Sequence, residues 1–223
     1  MEKREGNMKI TGAIFDMDGT LINSMDYWAI AASEYLKGLG IDPDPDEDRR
    51  YLEMGMKYCC EYYKERYGLD KSYDFMKEKI YSFMNEKYMT VVRLKKGVLD
   101  MLKNLKSHGV KMCLATATDR ESVQMVLKKL GIEEFFSKIF TASEVGFGKR
   151  NPEFFEIVLS YLGTEKETTY VFEDAVYAIT TARAAGFKIA CVDDRNAFKS
   201  KEEMKAMSDI YLSEDNLFKI DLD

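Results

Sequence analysis

The chain has 223 residues, 46% of them apolar and 32% charged, with a formal net charge of −6. This exceeds one average domain but is short for two large ones, so a main domain carrying a smaller insertion is expected. Mixed charges with a modest negative excess describe a solvated surface and argue against nucleic acid as a partner.

In chain order, Met1 to Asn7 is charged. The apolar stretch Ile10 to Phe15 is too short for a signal-peptide core and reads instead as part of a strand, Lys9 to Phe15. An all-helical stretch follows. Tyr27 to Leu39 is the first predicted helix, closed by Gly40 and the turn Asp42-Pro43-Asp44-Pro45; Asp46 to Tyr67 and Ser72 to Tyr88 are the next two.

From about Gly97 short apolar strands alternate with helices, the pattern of βαβ units on a parallel sheet. The predicted helices are Val98 to Ser107, Glu121 to Leu130, Pro152 to Leu162 and Val176 to Ala185. The predicted strands are Val110 to Ala115, Lys138 to Thr141, Thr169 to Phe172, Lys188 to Val192 and a last short one near Asp209 to Leu212. One strand thus precedes the helical block and the others follow it. The fold class predicted is α/β: a Rossmann-like parallel-sheet core (1–22 and 94–223) with an α-helical block (23–93) inserted after the first strand, and hinges near Leu21 to Ser24 and Val92 to Lys96.

No run approaches the ~18 apolar residues of a membrane helix. Cys59, Cys60, Cys113 and Cys191 show no CxxC spacing and read as free thiols in a reducing cytosol. A cytoplasmic protein without a membrane partner, monomeric or weakly dimeric, is the expectation.

In an open parallel sheet, ligands sit beyond the carboxyl ends of the strands. Asp16 and Asp18 follow the first predicted strand, Thr116 to Thr118 the second, and Glu173 with Asp174 a later one. Two carboxylates one residue apart can divide labour between nucleophile and acid/base, and both can hold a hard cation through oxygen. Gly19 permits the tight turn after them. As bare sequence features, Asp16 to Gly19 also fits an ordinary acidic turn, Thr116 a capping hydroxyl, and Asp174 a helix N-cap.

The string Phe15-Asp16-Met17-Asp18-Gly19-Thr20-Leu21 resembles the first motif of the haloacid dehalogenase-like superfamily of phosphohydrolases. Three further motifs of that family appear in order. Thr116, within Met112-Cys113-Leu114-Ala115-Thr116-Ala117-Thr118, resembles the second; Lys149, in Gly148-Lys149-Arg150-Asn151-Pro152, the third; and Val171-Phe172-Glu173-Asp174 the fourth. Arg150 stands where the family commonly has proline, and Ala175 and Ala178 replace frequent Ser and Gly.

The resemblance implies a Mg²⁺-dependent phosphatase for a small phosphorylated metabolite. Asp16 would be a nucleophile that is transiently phosphorylated and Asp18 the acid/base. Thr116 and the Ala117 N–H would hold a phosphoryl oxygen, and Lys149 would neutralise charge. Mg²⁺ would sit on Asp16, Asp18, Glu173 and Asp174. It also makes the helical block a cap, with Gly55 and Lys57 near a loop that reaches substrate. A sugar-phosphate mutase and a non-catalytic phosphate-sensing or partner-binding module are the alternatives.

Mutases of this family carry a histidine about ten residues beyond the second aspartate. That position here is Trp28, and the chain's one histidine, His108, lies in a helix-to-strand turn. Histidine-based triads and zinc sites are thereby excluded.

Overall fold

The computed structural model describes residues 9–48, 52, 55–197, 199–220 and 222. The chain divides into two compact units: the segment up to Asn23 together with the segment from Arg93 onward, and Ser24–Val92.

The first unit is built on a parallel sheet, six-stranded among the described residues, in the order β3-β2-β1-β4-β5-β6. The strands are β1 (Gly12–Phe15), β2 (Lys111–Thr116), β3 (Ile139–Thr141), β4 (Thr169–Glu173), β5 (Lys188–Val192) and β6 (Ile210–Leu212). All four residues of β1 are buried. A strand covered on both faces reads as a continuous apolar run, which is why Gly12–Phe15 shows no alternation.

Period-two geometry still divides these strands between two faces. Ile14, Cys113, Ala115, Val171, Ile189 and Cys191 belong to one buried cluster. It also takes in α7 (Glu153–Leu162), α8 (Val176–Ala184) and Met204 of α9 (Lys201–Ala206). The alternate residues Ala13, Phe15, Met112, Leu114 and Phe172 are buried too, with Phe15 stacked on Phe172 at 4.1 Å between centroids. Helices α4 (Val98–Ser107), α5 (Arg120–Leu130) and the single turn α6 (Ala142–Val145) complete the unit.

The strand order 3-2-1-4-5-6 reverses direction between β1 and β4, and ligands of such sheets bind outside that switch point. Register pairs Phe15 with both Leu114 and Phe172, so the chain leaves β1, β2 and β4 at the same end of the sheet.

Gly97, the N-cap of α4, has φ +98, and a Cβ there would meet the backbone oxygen of Leu217 at 2.2 Å. Only glycine fits against that chain.

The second unit is helical: α1 (Met25–Gly38), α2 (Met56–Tyr67) and α3 (Tyr73–Thr90). It buries Ala31, Ala32, Leu36, Cys60, Tyr63, Met76, Ile80 and Met84. Ser72 caps α3, its hydroxyl accepting from Phe75 N–H at 3.2 Å. The expected single helix Asp46 to Tyr67 is corrected at Gly55, whose φ of +82 and ψ of 166 are incompatible with a helix. Glu47, Asp48 and Leu52 are helical, α2 restarts at Met56, and residues 49–51, 53 and 54 of that expected helix lie outside the described ones.

Among the described residues no helix is long and apolar enough to cross a membrane. All four cysteines are buried free thiols.

Candidate active site

Beyond β1 the chain turns sharply. Gly19 takes φ +81, its N–H donates to Ile22 O at 3.0 Å, and Leu21 and Ile22 N–H both donate back to Met17 O. This turn places Asp16 and Asp18 at the carboxyl edge of the sheet with different partners.

Asp16 is buried and accepts from the ammonium of Lys149, which also donates to Glu173 Oε1 at 2.8 Å. Lys149 is 4% exposed and Glu173 1%. Glu173, the last residue of β4, folds its other oxygen back to accept the Asp174 N–H at 2.9 Å. Asp174 accepts from the Thr20 hydroxyl at 2.8 Å. One oxygen from each of Asp16, Glu173 and Asp174 lies within 4.8 Å of the others.

Asp18 is absent from that cluster: its Oδ2 accepts the Thr118 hydroxyl at 2.7 Å. Thr118 in turn donates its N–H to Thr116 Oγ1 at 3.1 Å. Thr116 is 1% exposed at the end of β2, and Ala117 is exposed in the bend that follows. The structure thus joins Asp16, Lys149, Glu173 and Asp174 into one group, and Asp18 to Thr116 through Thr118. Gly55 and Lys57 are exposed residues of the helical unit, Gly55 as the N-cap of α2.

Burial dominates the electrostatics. It pushes the Asp16 carboxyl up to about 8; Lys149 opposes the shift, and Glu173 and Asp18 add to it. Asp174 is raised well above the usual carboxylate range by burial and then by Glu173, Asp16 and Asp194, with Lys95 opposing. Burial also works against the Lys149 charge, but Asp16 and Glu173 outweigh it and raise its pKa. The same cause explains both directions: one ammonium faces more buried carboxylates than it can neutralise.

A divalent cation fits this imbalance. Three converging carboxylates and no nitrogen or sulfur donor in the group suit a hard ion such as Mg²⁺.

Several contributors escape a reading of the sequence alone. Thr20 and Thr118 are linked to acids 154 and 100 positions away. Tyr177, in the first turn of α8, has a hydroxyl pushed up to about 12 by burial against the opposing pull of Lys149. The Arg150 guanidinium stacks over its ring at 4.3 Å. Lys95 donates to Asp194 Oδ2 at 2.8 Å and Asp193 O at 2.7 Å. Of these, only Thr20 and Thr118 carried a signal, as hydroxyls inside motif strings. His108 is exposed, with ring Nδ1 at 2.8 Å from Asn104 O, remote in the fold from the carboxyl ends of the strands.

Several known proteins are similar to this chain in sequence or in fold. The family model for haloacid dehalogenase-like hydrolases matches residues 13–192. A phosphorylated carbohydrates phosphatase of Thermotoga maritima is 26% identical over 175 residues, 78% of this chain and 81% of that protein. A glyceraldehyde 3-phosphate phosphatase of Methanocaldococcus jannaschii is 31% identical over 184 residues, 75% of this chain and 77% of that protein. In fold, the chain is similar to the crystal structure of CbbY from Rhodobacter sphaeroides in complex with phosphate, with a TM-score of 0.78 and 21% identity over 91% of this chain and 93% of that one. With that family model spanning residues 13–192, this chain belongs to the haloacid dehalogenase-like hydrolase family.

Proposed function

We propose that the chain is a Mg²⁺-dependent phosphatase of small phosphorylated metabolites, working through a phosphorylated Asp16. The observation that carries this reading is the separation of two neighbouring aspartates into different environments. Asp16 sits in the carboxylate cluster against Lys149, while Asp18 is held outside it by Thr118. Two acids in distinct settings can take distinct roles. The similarity to phosphatases of phosphorylated carbohydrates and of glyceraldehyde 3-phosphate supports the substrate class.

In the first step a carboxylate oxygen of Asp16 attacks phosphorus and the bond to the leaving oxygen breaks, with Asp18 giving that oxygen a proton. In the second step Asp18 takes a proton from water. The water oxygen attacks phosphorus, the bond to Asp16 breaks and inorganic phosphate leaves. Lys149 is already fixed where it can offset charge between nucleophile and phosphate. The Thr116 hydroxyl and the Ala117 N–H are proposed to bind a phosphoryl oxygen. Asp16, Glu173 and Asp174 would hold Mg²⁺, which when bound supplies charge neutralisation to the phosphoryl oxygens.

Water is the proposed acceptor. Trp28 lies in the helical unit's packing, its ring N–H donating to Tyr88 Oη at 3.0 Å and its ring lying nearly perpendicular to that of Tyr81. An indole so engaged offers no base to activate a sugar hydroxyl.

The test is hydrolysis of a panel of phosphate esters, with sugar phosphates and triose phosphates included, in the presence of Mg²⁺ and then of excess chelator. Release of inorganic phosphate that stops with chelator is expected. Absence of turnover on every ester, or full turnover in chelator, refutes the reading.

A further inference from the structure

We propose that Thr118 is a positioning residue for the acid/base Asp18, setting its carboxylate for proton delivery to the leaving group. The inference rests on the role assigned to Asp18 above.

A hydroxyl has one proton to give, and Thr118 gives its proton to Asp18 Oδ2 at 2.7 Å. Thr118 is 4% exposed and Asp18 half-buried, so the donor of this charge-assisted bond is held away from water while the acid keeps an open side. The hydroxyl's location is fixed in turn. Thr118 N–H donates to Thr116 Oγ1, and Thr116 ends β2, registered beside β1 through Phe15 and Leu114.

The chain of bonds from Thr116 to Thr118 to Asp18 therefore ties the proposed phosphoryl-binding hydroxyl to the proposed acid. A carboxylate tethered at one oxygen loses fewer orientations on reaching the transition state than one swinging freely.

Proton delivery matters only when the departing oxygen is basic. An alkyl phosphate expels an alkoxide and depends on it, whereas 4-nitrophenyl phosphate expels a stable phenolate and does not. Because kcat/KM reports steps only through the first irreversible one, transfer of the phosphoryl group to Asp16, it isolates the acid role from later hydrolysis.

The experiment measures kcat/KM for 4-nitrophenyl phosphate and for the best alkyl phosphate of the panel, in wild type, Thr118→Val, Thr118→Ala, Thr118→Ser and Asp18→Asn, all with Mg²⁺. Thr118→Val and Thr118→Ala should lose about ten- to thirtyfold on the alkyl ester and less than about threefold on the aryl ester. Thr118→Ser should recover most of the alkyl activity. The inference is overturned if the first two variants lose both substrates equally, as a structural defect would produce, or if neither loses the alkyl ester. Asp18→Asn separates the two layers of the argument. If it keeps wild-type kcat/KM on the alkyl ester, the role of Asp18 itself is wrong. If it loses that activity while Thr118→Val and Thr118→Ala do not, only the role of Thr118 is wrong.

Discussion

Thr20 donates its hydroxyl to Asp174 Oδ1 at 2.8 Å, joining the turn after β1 to the acid that follows β4 across 154 residues of sequence. Both residues are buried. The bond orients one of the three carboxylates proposed to hold the cation, and such supporting bonds tune metal affinity by roughly ten- to a hundredfold. Thr20→Val should raise the Mg²⁺ concentration needed for half-maximal activity about tenfold, with kcat at saturating Mg²⁺ within about threefold of wild type. Thr20→Ser should behave as wild type. A Mg²⁺ titration of turnover checks both.

Asp16→Asn should abolish turnover, by at least about a thousandfold, because an amide cannot form the acyl-phosphate. The same change removes one of the crowded buried carboxylates. Thermal unfolding in chelator should therefore show a transition no lower than that of wild type, which distinguishes lost chemistry from lost fold.

The raised pKa values of Asp16 and Asp174 carry a sign for stability. An acid whose folded pKa lies above its unfolded value, about 4, binds more protons folded than unfolded as pH rises through that window. It contributes no penalty below about pH 4 and a growing one toward the folded value, about 8 for Asp16. In chelator, stability should fall between pH 5 and pH 8, and added Mg²⁺ should raise Tm more at pH 8 than at pH 5. Equal Mg²⁺ shifts at the two pH values would show that the cluster does not take the ion.

Gly97→Ala should destabilise the first unit by about 2–3 kcal/mol, since the new methyl meets the Leu217 backbone at a φ that L-residues rarely adopt. At roughly 2–4 °C per kcal/mol for a chain of this size, calorimetry should show a Tm lower by about 4–12 °C.

The parallel sheet was legible because its buried strands are unbroken apolar runs spaced by helices, and Asp16, Thr116, Lys149 and Asp174 because each stands in a motif string. The break at Gly55 was not legible: a glycine inside a helical pattern is as often tolerated, and only its φ of +82 marks it as a stop. Helix α9 falls outside the predicted elements although it carries a readable signal, the capping box in which Ser200 and Glu203 bond each other's backbone N–H. Within the site, the partners Thr20, Thr118 and Tyr177 depend on pairings between distant segments, which no local pattern encodes. The exclusion of Asp18's carboxylate from the acidic cluster is of the same kind, decided by where β2 delivers Thr118.

β1 is a central strand whose neighbours β2 and β4 begin 99 and 157 residues after Gly12, at Lys111 and Thr169. Closing such long loops is entropically slow, and strands with distant partners form late. The helical segment Ser24–Val92 is contiguous and has its own buried residues, so during synthesis it can collapse while β1 is still without either neighbour. The strand that leads into the proposed nucleophile, Asp16, is thus made early and completed late. Nascent chains halted before Thr169 will contain the helical segment but not the cluster of Asp16, Glu173 and Asp174.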